Sequence, residues 1–247
     1  MSSIRWVPLE ANPGVLDAFA RKIGVRDSDV AFHDVFGLDP ELLAFVPTPV
    51  LAVILLYPLT EASEGERLAE LARQPETDRG AIPADLFYMK QTIGNACGTI
   101  AMMHCLANVS RSTEGRGELE ETAVVRQAGG ILDRFLSETA GMSPEAIGSY
   151  LEEGRGCSAE LHGLHGKAAQ EGDTVAPGVD EEINLHFVAF VEKGGALWEL
   201  DGRRAGPVHR GPVVGDLMGS VARVVKEVYV GGASGDIHFS LMALARS

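Results

Sequence analysis

The sequence predicts a single domain of mixed α/β class, in which helices and strands share one core. An apolar run at 50–57 is too short to cross a bilayer as a helix but fits a strand buried on both faces. The segment 97–108 is apolar on nearly every side, which predicts a helix in the middle of the domain. Two strand-like runs, 185–191 and 197–201, flank a glycine pair and predict a β-hairpin.

The remaining elements follow from caps, prolines and composition. Asn12 and Ser143, each followed by proline, are typical of helix starts. No internal repeat or Pro- or Ser-rich linker divides the chain, so we expect one domain over 1–247. Helices are predicted at 15–23, 39–43, 61–73, within 118–138, at 143–153 and at 213–229, and a last strand at 237–244.

A glycine-rich stretch at 153–178 lacks a steady period. It contains six glycines and few large apolar residues, which predicts a long mobile loop. Loops of this length inside a compact domain are uncommon and usually serve a function.

The charge balance limits the partners. The chain has 35 acidic and 21 basic side chains, a formal net charge of −14, which disfavours nucleic acid and favours a partner with a basic surface or tail. No apolar run is long enough for a membrane span, and the N-terminus lacks the apolar region of a secretion signal. Three cysteines are too few for a disulfide framework, so we expect the cytoplasm, with the nucleus as an alternative.

The sequence Gln-Thr-Ile-Gly-Asn-Ala-Cys-Gly-Thr places Cys97 where a turn meets the buried helix. A helix N-terminus stabilises anions, so it favours the thiolate and its free N–H groups can bind an oxyanion. Gly98 leaves room for a substrate backbone, and Gln91 is a candidate side-chain donor to the same oxyanion.

The hairpin supplies a candidate base and a group to orient it. A turn at Lys193-Gly194 would place His186 directly opposite Asp201, whose carboxylate could then hold the imidazole through Nδ1. A one-residue change in the turn would separate them. Cysteine, histidine and aspartate in this arrangement are typical of nucleophilic catalysis.

Each residue alone has a plainer interpretation. Cys97 could be a small buried hydrophobe, His186 a core histidine and Asp201 a turn residue. Three other residues, Cys157, His162 and His165, are weak candidates for zinc because a fourth ligand at a suitable spacing is missing, so we expect no metal or cofactor. His104 and Cys105 are interpreted as packing residues of the central helix.

Together these residues resemble the small ubiquitin C-terminal hydrolases of the L3 type. The resemblance rests on RWVPLEANP at 5–13, QTIGNACGTI at 91–100, LHF at 185–187 and ELDGR at 199–203. It implies a papain-like fold with a central antiparallel sheet flanked by helices on both sides and a knotted chain path. The implied activity is thiol-dependent hydrolysis of small adducts from the C-terminal glycine of ubiquitin, with the related modifier Nedd8 left open and a monomeric state expected.

The resemblance also implies roles for individual residues. Cys97 would be the nucleophile, His186 the general base and acid, Asp201 the orienting carboxylate and Gln91 an oxyanion donor, while 153–178 would be the crossover loop over the site. Candidate contacts for the ubiquitin tail are Leu9, Glu10 and Asp34. A ubiquitin-binding reservoir with little turnover, and a papain-like peptidase of other specificity, remain as alternatives.

Overall fold

The computed structural model describes residues 4–26, 30–59, 65, 82–112, 124–174, 177–178, 181, 184–230 and 239–246. In chain order the elements are α1 (Pro13–Ile23), β1 (Val30–Asp34), α2 (Pro40–Leu43), β2 (Val50–Pro58), α3 (Cys97–Val109), β3 (Ser110–Ser112), β4 (Val124–Arg126), α4 (Ile131–Glu138), α5 (Pro144–Glu152), α6 (Ser158–Ala168), β5 (Leu185–Lys193), β6 (Ala196–Leu200), β7 (Val208–Pro212), α7 (Leu217–Val224) with a π-helical extension (Val225–Val230), and β8 (Ser240–Arg246). No helix in these ranges is long and apolar enough to cross a membrane.

A six-stranded antiparallel sheet, in the order β1-β8-β2-β5-β6-β7, forms the centre of the domain. Helices cover both of its faces, as the sequence predicts. Ile54 of β2 belongs to a core shared with α1, α3, α4, α5 and α6, whereas its neighbour Leu55 belongs to a second core shared with α7. Burial on both faces explains why β2 is apolar at consecutive positions. The knotted path stays a prediction, because connecting segments such as 66–81 and 113–123 lie outside the described residues.

The predicted helix caps at α1 and α5 are confirmed. The Asn12 side chain accepts hydrogen bonds from the first turn of α1, and Ser143 accepts one from the first turn of α5. The helical prediction within 118–138 is wrong at Val124–Arg126, which forms a short parallel strand with Ser110–Ser112, and is confirmed at Ile131–Glu138. Its first residues, 118–123, lie outside the described residues. The predicted helix at 61–73 lies outside the described residues, apart from residue 65.

The prediction of one long loop at 153–178 is also wrong, because Ser158–Ala168 is the helix α6. Its glycines, Gly163 and Gly166, lie on the exposed side, where an added Cβ would meet nothing within 4 Å. The buried side carries Leu161, His165 and Ala168. A helix that packs by only a few residues gives a weak apolar period, so tertiary contact stabilises what local propensity does not indicate.

The hairpin forms, but its register differs from the predicted one. Its turn lies at Gly194-Gly195, both at positive φ, and Lys193 pairs with Ala196. This register is two residues away from the one that places His186 directly opposite Asp201. A shift of two keeps every side chain on the same face of the sheet, so the two residues become diagonal neighbours instead of direct partners.

The helical state of α6 can be tested at its exposed glycines. Gly163→Ala should raise the free energy of unfolding by about 0.5–1 kcal/mol, because alanine loses less backbone entropy than glycine in a helix. Urea denaturation measures the change. The matched control, Gly194→Ala, should lower stability by roughly 1–2 kcal/mol, since its φ of +61° is unfavourable for alanine. No gain at Gly163 would contradict the helix.

Candidate active site

Cys97 is the first residue of α3, and its helix start lacks a side-chain cap. The cap residue is Ala96, whose methyl group cannot accept a hydrogen bond, and the preceding residue, Asn95, has a φ of +60°. The turn therefore leads into the helix without a capping side chain from residue 96. The backbone N–H groups of the first turn can therefore stabilise a thiolate or an oxyanion.

Close packing against the N-terminal segment and β5 fixes the position of α3. A Cβ on Gly98 would lie 3.1 Å from Leu9 and 3.4 Å from Phe187, so glycine permits a tight contact at this point. The expected space for substrate at Gly98 is therefore filled by protein side chains. The nucleophile is held against the strand that carries His186, one residue before Phe187.

The second feature of the site is a buried pair between His186 and Asp201. The Nε2 atom of the imidazole lies 2.7 Å from Oδ1 of the carboxylate, and both side chains are completely buried. Because a carboxylate only accepts hydrogen bonds, Nε2 is the protonated nitrogen. The sequence prediction that Asp201 holds the ring through Nδ1 is thus corrected. Nδ1 has no partner other than the Cys97 thiol among the described residues, so it is the nitrogen available to the nucleophile.

Interaction between the thiol and the imidazole favours their charged forms. Burial disfavours a thiolate, but the hydrogen bond and charge of His186 outweigh it and hold the pKa of Cys97 below its usual value. Burial likewise disfavours an imidazolium, but Asp201 and Cys97 outweigh it and raise the pKa of His186. A thiolate–imidazolium pair is therefore stabilised at the site. In contrast, burial raises the pKa of Cys105, and burial with the nearby Glu138 raises that of Cys157 to about 11.

Gln91 is joined directly to the chain segment that follows Asp201. Its backbone N–H donates to the Gly202 carbonyl at 2.9 Å, and its side-chain Nε2 donates to the Ile93 carbonyl at 3.1 Å. An amide nitrogen carries two hydrogens, so one remains for an oxyanion. A Cβ on Gly202 would lie 3.0 Å from the Gln91 backbone nitrogen, so only glycine permits this close approach. The role of Gln91 as an oxyanion donor stays a prediction.

His104, assigned by the sequence to simple packing, links three parts of the site. Its Nε2 accepts from the Met89 N–H at 3.1 Å, and its Nδ1 lies 3.3 Å from the Leu200 carbonyl. The ring also stacks on Tyr88, with centroids 5.1 Å apart. Burial lowers the pKa of His104 to about 4, so it is neutral near pH 7 and connects α3 to the residue before Asp201. A single histidine in an apolar helix carries no sequence signal for this role.

The three candidate tail contacts differ in their surroundings. Leu9 of the N-terminal segment is buried against Gly98, and Asp34 is exposed at the end of β1. Glu10 accepts hydrogen bonds from the Thr174 backbone and hydroxyl at 3.0 and 2.7 Å, which lower its pKa. Glu10 thus binds the segment that follows α6, and contact of all three residues with a ubiquitin tail stays a prediction.

The weak zinc candidates have separate partners. His165 lies 2.7 Å from the Thr99 hydroxyl through Nδ1 and 2.7 Å from the Val7 carbonyl through Nε2. His162 contacts the Leu151 carbonyl. Within the described part of the chain, no group of three or more His, Cys, Asp or Glu side chains is arranged to hold a metal ion.

Comparisons with known proteins show which family the chain is similar to. The model of "Ubiquitin carboxyl-terminal hydrolase, family 1" matches residues 6–229. A ubiquitin carboxyl-terminal hydrolase of Aplysia californica is 41% identical over 227 residues, 92% of this chain and 95% of the relative. Ubiquitin carboxyl-terminal hydrolase 3 of Arabidopsis thaliana is 35% identical over 249 residues, 99% of this chain and 96% of the relative.

A similar fold occurs in a solved structure. The crystal structure of the Trichinella spiralis UCH37 catalytic domain, bound to ubiquitin vinyl methyl ester, superposes with a TM-score of 0.69. The match covers 98% of this chain and 96% of the other at 20% identity, so it shows a shared fold.

The buried pair predicts the pH dependence of the thiol. Asp201→Asn should move the pH at which Cys97 becomes reactive upward, because a weaker imidazolium gives the thiolate less support. The rate of iodoacetamide labelling at Cys97, measured against pH by mass spectrometry, reports the midpoint. Cys157, a buried thiol with a raised pKa, should label slowly in both proteins and is the negative control. An unchanged midpoint would show that Asp201 does not act through His186.

Proposed function

The chain belongs to family 1 of the ubiquitin carboxyl-terminal hydrolases, a family of cysteine peptidases, and from that premise we propose a specific reaction for it. The proposal is thiol-dependent hydrolysis of small adducts and peptides from the C-terminal glycine of ubiquitin, by a Cys97-His186-Asp201 triad. The observation that carries it is the buried His186, which binds Asp201 through one ring nitrogen and leaves the other for a thiol of lowered pKa.

In the first half of the reaction, the Cys97 thiolate attacks the carbonyl carbon of the terminal glycine. The negative charge that develops on the carbonyl oxygen is stabilised by N–H groups of the first turn of α3 and by the Gln91 side-chain amide. The imidazolium of His186 then gives its proton to the leaving amine or alcohol, the bond to the adduct breaks, and a thioester between Cys97 and ubiquitin remains.

In the second half, water hydrolyses the thioester. Neutral His186 accepts a proton from the water through Nδ1 as the water oxygen attacks the carbonyl carbon. The sulfur leaves as the thiolate, which restores the ion pair and releases ubiquitin with a free carboxylate. Throughout, Asp201 accepts from Nε2, fixes the ring orientation and stabilises each imidazolium that forms.

The partner follows from the family and from charge. A formal net charge of −14 suits the basic C-terminal tail of ubiquitin, and Asp34 and Glu10 are the proposed acidic contacts. Nedd8 is a second modifier to be tested in the same assay. We further propose that the chain works as a monomer. We also propose the cytoplasm as its location, with the nucleus as a second one, because three cysteines are too few for a disulfide framework.

The nucleophile assignment can be tested with a ubiquitin C-terminal fluorogenic amide. Cys97→Ala should abolish hydrolysis while ubiquitin binding, measured by calorimetry, stays within a few-fold of the wild type. Cys157→Ala, the matched control at a buried thiol away from the site, should retain turnover. Substantial hydrolysis by Cys97→Ala would exclude the proposed mechanism.

The same assay separates the alternatives. Binding of ubiquitin by a wild-type protein that shows no single turnover would indicate a reservoir. Hydrolysis that excess free ubiquitin does not inhibit would indicate a peptidase of other specificity.

Charge steering should make the reaction dependent on salt. The value of kcat/KM should fall as the Debye length shrinks to about 8 Å near 0.15 M salt, while kcat changes little. Asp34→Asn should weaken this dependence. The control is Glu192→Gln, an exposed acid six residues from His186 along β5, roughly 20 Å away. Equal salt dependence in the wild type and Asp34→Asn would remove Asp34 from the proposed contacts.

A further inference from the structure

Four charged side chains are buried together beside the candidate triad, and the proposed reaction uses only one of them. The Glu199 and Asp201 carboxylates are completely buried, and the Arg204 and Arg210 side chains are 7% and 3% exposed. Arg210 binds one Glu199 oxygen, Oε2, through Nε at 2.8 Å and Nη2 at 2.7 Å. The cluster has two positive and two negative groups, so the loss of any single charge leaves it unbalanced.

Arg204 lies between the two carboxylates. Its Nε atom is 3.5 Å from Oε1 of Glu199 and 3.6 Å from Oδ2 of Asp201. The other oxygen of Asp201, Oδ1, accepts from His186 Nε2 at 2.7 Å and from the Arg203 backbone N–H at 2.9 Å. The two oxygens of the carboxylate are therefore divided between the imidazole and the Arg204 charge.

We propose that Arg204 is a positioning residue for the catalytic carboxylate, and that Glu199 holds the Arg204 guanidinium in place. The inference rests on the proposed function, because it assigns to Arg204 an effect on hydrolysis through Asp201 and His186. Arg204 itself is buried and has no part in binding the reacting carbonyl.

The Arg204 side chain acts on the Asp201 carboxylate through its positive charge. Both distances from Nε exceed the length of a normal hydrogen bond, and within the described part of the chain Nε and Nη2 have no hydrogen-bond partner. In a buried site a positive charge at this range still stabilises a carboxylate strongly, since little water screens it. A neutral side chain at 204 would leave an excess negative charge beside Asp201, which would favour its protonation and weaken its hold on His186.

The backbone of Arg204 is anchored separately from its side chain. Its N–H donates to the Asp201 carbonyl at 2.9 Å, and its own carbonyl lies 2.7 Å from the Tyr88 hydroxyl and also contacts the Lys90 ammonium group. A change of the side chain therefore leaves the turn after Asp201 tied to the same neighbours. This allows the charge of residue 204 to be tested by substitution.

The test compares Arg204→Gln, which removes the charge, with Arg204→Lys, which keeps it. With the ubiquitin C-terminal amide, Arg204→Gln should lower kcat by roughly tenfold to a hundredfold and change KM less than about twofold, because the side chain acts on chemistry and does not touch substrate. Arg204→Lys should recover most of the lost kcat. A loss in Arg204→Gln that appears in KM alone would overturn the proposal.

A double-mutant cycle decides whether the effect passes through Asp201. In an Asp201→Asn background, Arg204→Gln should have little further effect on kcat, because the carboxylate charge that it balances is gone. Equal losses in both backgrounds would overturn the proposal. The structural control is Arg126→Gln, which breaks the largely buried ion pair between Arg126 and Asp133. This variant should lower the melting temperature without lowering kcat.

The rate at which iodoacetamide labels Cys97 at pH 7 tests the role of Arg204 without a ubiquitin substrate. The labelling rate should fall in Arg204→Gln and recover in Arg204→Lys, with Cys97→Ala as the blank. If the wild type labels rapidly but does not hydrolyse the amide, the proposed function fails while these rates still decide the role of Arg204. If Arg204→Gln does not fold, Arg204→Met is used instead, which removes the same charge and keeps an unbranched side chain, and kcat and the labelling rate should fall in the same way. Wild-type rates in Arg204→Met would overturn the proposal.

Discussion

The structure around the site depends on one constraint, that the buried charge of Asp201 must be balanced. A carboxylate without access to water is unstable unless hydrogen bonds and opposite charges replace its solvation. Here the imidazole of His186, the Arg203 backbone and the guanidinium of Arg204 meet this need. Arg204 is itself buried and requires Glu199 in turn. The orientation of the imidazole therefore reflects the electrostatics of the whole turn after β6.

Short segments from distant parts of the sequence hold the nucleophile and the carboxylate in fixed positions relative to each other. The Tyr88 hydroxyl lies 2.7 Å from both the Asp201 and the Arg204 carbonyls. Two further residues of the segment around Tyr88 are joined to the end of β6 and the turn after it. His104 bridges Met89 to Leu200, and the Gln91 N–H donates to the Gly202 carbonyl. The segment that precedes α3 thus fixes the helix start relative to β6. A mixed α/β fold brings this about because α3 packs directly on β5, the neighbour of β6 in the sheet.

Much of this arrangement can be predicted from the sequence, because it is specified by residues that are close together in the chain. Caps at α1 and α5 and the doubly buried β2 are specified by neighbouring residues. The juxtaposition of His186 and Asp201 was also predictable, although the hairpin register differs by two, since an even shift preserves the face. The helix α6 and the Arg204 cluster were not predictable. Their stability comes from contacts between residues far apart in the chain or from charges whose partners appear only on folding.

Two buried neutral histidines give the fold an acid limit. His104 and His165 each have a pKa of about 4 in the folded chain against an ordinary 6.5, because burial disfavours the imidazolium. The unfolded chain therefore binds more protons between these values, and stability falls as the pH drops from 6.5 towards 4. His104 lies on α3 and binds Met89 in the segment before the helix, and His165 contacts Thr99 in the first turn of α3. Inactivation in mild acid would then reflect loosening of the helix that carries the nucleophile.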